Sequence, residues 1–170
     1  MKTIVVLISE SESYLPALID NAASGDLEVG IAAVVSSHAD AAGLAHAIDA
    51  GIPTHVLSVD EVIADGGDSG GFDVELAAIV ASCSPDLVVL AGWTHALGEG
   101  FLDRSPGRVI NLHPAMPGAF PGAQAVARAY EAYQRGEIKR TGVMVYQVVP
   151  EAEAGPLVTM EPVPILPDDS

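Results

Sequence analysis

Apolar runs alternate along the chain with stretches of helical spacing. Residues 3–8 (Thr-Ile-Val-Val-Leu-Ile) form an unbroken β-prone run, which predicts a strand buried on both faces. A polar loop follows at 9–13. Residues 14–23 then carry Leu15, Leu18, Ile19 and Ala22 at the spacing of a helix. Residues 29–35 read as a second strand, 39–50 as a helix closed by Gly51, and 54–57 as a short third strand. The stretch 61–71, with its Gly-Gly-Asp-Ser-Gly-Gly, reads as a surface loop. Beyond it the pattern predicts a helix over 72–84 stopped by Pro85, then strands at 87–91 and 109–112. An amphipathic helix over 123–135 is closed by Gly136. A final strand pair at 141–149 and 157–164 is joined by the loop 150–156.

Strands that alternate with helices predict an α/β fold, a mostly parallel sheet with helices on both faces. No linker or repeat interrupts the pattern, so residues 1–170 read as a single domain. In such sheets ligands bind beyond the carboxyl ends of the strands. Three segments end strands there: 9–13, 92–97 and 111–118.

Composition narrows the picture. The 170 residues suffice for one real core, and 49% of them are apolar. Three Phe, four Tyr and one Trp leave that core to small aliphatics. Seven basic residues face 23 acidic ones, a formal net charge of -16, which argues against nucleic acid and anionic membranes as partners. Cys83 is the only cysteine, so no intrachain disulfide and no cysteine-built zinc site can form, and no metal is expected. A reducing cytoplasm fits. The opening Met-Lys-Thr-Ile-Val-Val reads as a first strand, not as a signal peptide. No apolar run approaches the roughly 20 residues of a membrane span.

The candidate chemistry lies at Asn111-Leu112-His113-Pro114. Positions 111 and 113 of a strand point to one face, so an amide donor and an imidazole sit side by side. Pro114 stops the ladder. The Pro-Gly pairs at 117–118 and 121–122 make the following loop stiff and close-turning. An amide beside an imidazole suits stabilisation of an oxyanion, and a nearby carboxylate would orient the ring.

The run Val-Ile-Asn-Leu-His-Pro-Ala-Met-Pro-Gly-Ala-Phe-Pro-Gly resembles the signature of the glycinamide ribonucleotide formyltransferases, folate-dependent enzymes of purine synthesis. The resemblance extends over nearly the whole chain: residues 4–9, 86–92, 141–145 and the acidic loop 151–158 all match. It implies a Rossmann-like formyltransferase fold and a reaction in which an amine attacks the formyl carbon of 10-formyltetrahydrofolate, the co-substrate. Asn111 and His113 would stabilise the oxyanion of the tetrahedral intermediate. Glu153 takes the place of the family's catalytic Asp, one methylene longer. The resemblance implies a folate wall of Trp93, Thr94, His95, Leu97, Val145 and Glu151. It implies a substrate site of Glu10, Ser11, Glu12, Ser13, Gly92 and Pro114.

The chain departs from the family in three places. The phosphate loop after the first strand reads Ser-Glu-Ser-Glu-Ser, with Glu10 and Glu12 where the family has glycines. Carboxylates there repel a phosphate and block close backbone approach. The expectation is therefore an N-formyltransferase with an altered amine acceptor. The alternatives are glycinamide ribonucleotide formylation proper and a non-catalytic binding relative. Next, the sequence stops at 164–170, where the family continues into a C-terminal helix. That helix is expected to be lacking, and the apolar patch it leaves favours a homodimer. Last, in the folate segment Thr94 stands where members often have Met and His95 where they have Arg or His. Tyr146 also stands where many members have His, and a packing role is expected of it. His38, His46 and His55 match no ligand spacing.

Overall fold

The computed structural model describes residues 1–9, 14–64, 67–105, 107–122, 124–150, 155–167 and 169. Seven strands form one sheet in the order β3-β2-β1-β4-β5-β6-β7. They are β1 (Lys2–Ile8), β2 (Val29–Ser36), β3 (Thr54–Val56), β4 (Leu87–Ala91), β5 (Val109–His113), β6 (Arg140–Gln147) and β7 (Leu157–Pro164). The first five are mutually parallel, whereas β5–β6 and β6–β7 pair antiparallel. The helices are α1 (Leu15–Ser24), α2 (Ala42–Asp49), α3 (Val59–Ala64), α4 (Ser69–Ser82), α5 (Glu99–Leu102) and α6 (Ala125–Gln134). No helix follows β7 among the described residues.

Alternation along the central strands builds two cores. Val5, Leu7, Val35, Val88, Leu90 and Val109 pack with Phe72, Leu76, Val80 and Phe101, residues of α4 and α5. Ile4, Val6, Ile8, Val34 and Val89 pack on the other face with Leu15, Leu44 and Ala47 of α1 and α2. The expected sheet with helices on both faces is thus observed.

The expected loop at 61–71 is instead mostly helical. Ser58 opens α3, where Glu61 N–H donates to its Oγ at 3.4 Å. Asp60 and Glu61 lie in the first turn, where the helix dipole favours acids. Ser58-Val59-Asp60-Glu61 is a capping-box pattern. Asp68 caps α4 by accepting the N–H of Gly71 at 2.7 Å, so α4 starts three residues before Phe72. That satisfied donor offsets the flexibility of Gly70 and Gly71. The helix expected over 39–50 starts later, at Ala42. The one-turn α5 was not expected.

Gly142 in β6 permits an approach on which the candidate site depends. A Cβ there would collide with Met116 Sδ and lie 2.8 Å from the carbonyl oxygen of Glu161. Met116 belongs to the loop after β5, so Gly142 lets that loop seat against the sheet. Gly142→Ala is expected to lower stability by about 1–3 kcal/mol, as in other overpacked interiors, measured by urea denaturation.

Candidate active site

The face of β5 that starts in the core with Val109 turns polar at Asn111 and His113, both half-buried. Antiparallel pairing sets Tyr146 opposite Asn111 and Met144 opposite His113. Asn111 Nδ2 donates to Tyr146 Oη at 2.6 Å. His113 Nε2 lies 3.2 Å from the carbonyl oxygen of Phe120. A carbonyl only accepts, so Nε2 carries the proton and Nδ1 of the neutral ring is left as the base.

The loop after β5 wraps back over this pair. Phe120 adopts a left-handed φ of 46°, which turns its carbonyl within reach of His113. Arg128 of α6 donates to the same oxygen at 3.0 Å and also to the carbonyl of Pro121. One guanidinium thus pins the loop that orients the imidazole. The sequence reading passed over Arg128, although it stands at helical spacing from the buried Ala125 and Ala132.

The ends of β1, β2 and β4 meet at the point where strand order reverses. Ser9 N–H donates to the Gly92 carbonyl at 3.2 Å, and Thr94 N–H donates to Ser9 Oγ at 3.1 Å. Ser37 Oγ donates to Ser9 Oγ at 2.7 Å, so the 2.9 Å contact with His38 uses the proton on His38 Nδ1. Gly92, with φ of 80°, needs its missing side chain. Among the described residues, Gly92 of the expected substrate site and Thr94 of the expected folate wall are thus brought together at Ser9.

Individual side chains differ in what they offer. Trp93 is only 8% exposed and stacks on Phe72 at 6.2 Å, so its ring supports the wall from within the core. Thr94 is exposed, and Leu97 is half-buried against that core. His95 stacks on His38 at 5.9 Å. Burial, then the charge of His38, push its pKa below the ordinary 6.5, against a weaker pull from Asp60. Val145 pairs with Leu112, so its side chain lies on the opposite face from Asn111 and His113. Pro114 is half-buried at the strand end. Tyr146, expected only to pack, accepts a hydrogen bond from the candidate oxyanion donor.

Glu10, Ser11, Glu12, Ser13, Glu151 and Glu153 lie outside the described residues. The ends of the loop that carries Glu153 are tied at Gln147, whose N–H donates to the Pro156 carbonyl at 2.9 Å. A Cβ at Gly155 would strike the Gln147 carbonyl. Gln147 pairs with Ile110, three residues before His113, or about 10 Å along the strand.

Comparison with known proteins adds to this geometry. The family model described as formyl transferase matches residues 2–170. The phosphoribosylglycinamide formyltransferase of Schizosaccharomyces pombe is 41% identical over 176 residues, covering 99% of this chain and 85% of that protein. The enzyme of that name from Escherichia coli is 37% identical, covering 98% of this chain and 75% of its own length. Among solved structures, glycinamide ribonucleotide transformylase 1 from Symbiobacterium toebii superposes with a TM-score of 0.85 at 32% identity, covering 100% of this chain and 76% of that one.

Two outcomes follow from the hydrogen bonds and charges. Arg128→Met, which keeps the stem but removes the donors, should lower stability by about 1–3 kcal/mol in urea denaturation. His95, held below its unfolded pKa, costs stability when protonated. Wild-type stability should therefore fall as pH drops below 6.5, and His95→Gln should flatten that fall in urea midpoints taken from pH 8 to 5.

Proposed function

The chain belongs to the formyl transferase family, among the glycinamide ribonucleotide formyltransferases, and from that premise we propose that it moves the formyl group of 10-formyltetrahydrofolate onto the amine of glycinamide ribonucleotide in purine synthesis. The observation that carries this reading is the pair Asn111 and His113, oriented by Tyr146 and Phe120 on one face at a strand end.

The expectation of an altered acceptor rested on Glu10 and Glu12. Relatives named for the phosphoribosylglycinamide substrate align over 98–99% of the chain, which supports that substrate over another.

The residues fit a formyl donor. Among the described residues Asn111 gives one N–H to Tyr146, and its second N–H is available to an oxygen. 10-Formyltetrahydrofolate supplies the formyl carbon when bound. Thr94, His95 and Leu97 are the residues proposed to hold it, together with Glu151 and the backbone of Val145, while Trp93 buttresses them. Asn111 meets the negative charge that grows on the formyl oxygen as the amine attacks. His113 holds a proton at Nε2 and can take one at Nδ1, so it can relay the proton that the attacking amine loses to the folate nitrogen whose bond to the formyl carbon breaks. Glu153 is the proposed carboxylate partner of that relay. Gly92, Ser9 and the sequence 10–13 are the residues proposed to meet the acceptor. Exposed Leu157, Val158, Met160 and Val163 on β7 support a homodimer.

Purified protein given 10-formyltetrahydrofolate and glycinamide ribonucleotide should release tetrahydrofolate, followed by absorbance. His113→Ala should cut turnover by at least about 10²-fold with folate binding retained. Release of tetrahydrofolate only with a phosphate-free amine would restore the altered acceptor. No consumption with any amine would overturn the enzymatic reading.

A further inference from the structure

We propose that Tyr146 is a positioning residue that sets the orientation of the Asn111 amide. This rests on the formyl-transfer reading and deepens it. The terminal torsion of an asparagine is broad and roughly two-fold, so nothing intrinsic decides whether its NH2 or its oxygen faces a given neighbour. Oriented one way, the group offers a donor to a developing oxyanion. Flipped, it offers a carbonyl oxygen, which repels it. A phenol can accept from the NH2 or donate to the oxygen, and the contact in the structure is the first, Nδ2 to Oη, in which Tyr146 turns its own proton away from Asn111. Tyr146 is the direct cross-strand partner of Asn111, and its phenol oxygen accepts one N–H at 2.6 Å. The two N–H bonds of a carboxamide lie in one plane about 120° apart. Holding one of them on Tyr146 therefore fixes where the other points.

The backbone holds the pair together, because β5 and β6 keep an unshifted register from Ile110 opposite Gln147 to His113 opposite Met144. β6 pairs with β7 in register up to Val145 opposite Thr159, then slips so that Tyr146 lies opposite Leu157. The extra residue, Val158, is on β7, so the bulge bends β7 and leaves Tyr146 in its place opposite Asn111. Phenylalanine would fill the same space and keep the packing but lack the acceptor. The oxygen is therefore the functional atom.

The test is a double-mutant cycle on the full chain. Tyr146→Phe should lower kcat on the order of 10-fold, less than the 10²–10³ lost with a whole oxyanion donor, while KM for either substrate changes less than about twofold. In an Asn111→Ala background the same substitution should change kcat less than about twofold, because the group it orients is gone. Wild-type kcat in Tyr146→Phe, or an equal loss in both backgrounds, would overturn the proposal. A second readout needs no turnover. In 15N NMR spectra Tyr146→Phe should shift the Asn111 side-chain amide protons and bring their two frequencies closer. Unchanged Asn111 amide resonances would refute the positioning role even if the chain proved inactive as a formyltransferase. Inactive wild type with shifted resonances would overturn the formyl-transfer reading and keep the hydrogen bond.

Discussion

The antiparallel pairing of β5 with β6 is the constraint on which the candidate site depends. In the parallel half of the sheet each strand meets aliphatic neighbours, and Val5, Leu7, Val88 and Val109 share one dry layer. A polar residue continuing that layer would be buried without partners. Asn111 and His113 escape this because β6 runs the other way and presents Tyr146, Met144 and Gly142 along the same face. Tyr146 supplies an oxygen, and Gly142 supplies room for Met116.

The loop after β5 completes what the strand pair begins. Its carbonyls would otherwise be free to turn away from the imidazole. Arg128 gathers two of them, and His113 shares one. In a chain with only seven basic residues, one cation is committed to holding the backbone around the site. The acidic surface and this internal cation do different jobs. The first governs solubility and partners, the second local geometry.

Much of the fold was legible in the residues. Unbroken aliphatic runs marked β1, β2 and β4, because strands buried on both faces need apolar residues at every position. The long motif around Asn111 and His113 pointed to the family and the site. Glycines hid α3 and the start of α4. The countersignals were present at Ser58 with Glu61 and at Asp68, yet capping acts through one hydrogen bond and is easily outweighed in a glycine-rich reading. Trp93, expected in the folate wall, stacks on Phe72 within the core. A β-strand's end does not reveal which way the next ring turns.

The sequence by itself determined what depends on local periodicity. That covers the succession of strands and helices, the two-residue spacing that puts Asn111 and His113 on one face, and the turns at the Pro-Gly pairs. Only the tertiary structure decided the partners: Tyr146 for Asn111, the Phe120 carbonyl for His113, Arg128 for that carbonyl, and Val145 on the far face. The physical reason is register. A strand shifted by one residue keeps the same hydrophobic pattern in a two-sided core but sends every side chain to the other face. Which residue meets Asn111 is therefore set by the whole sheet and not by its neighbours in the chain.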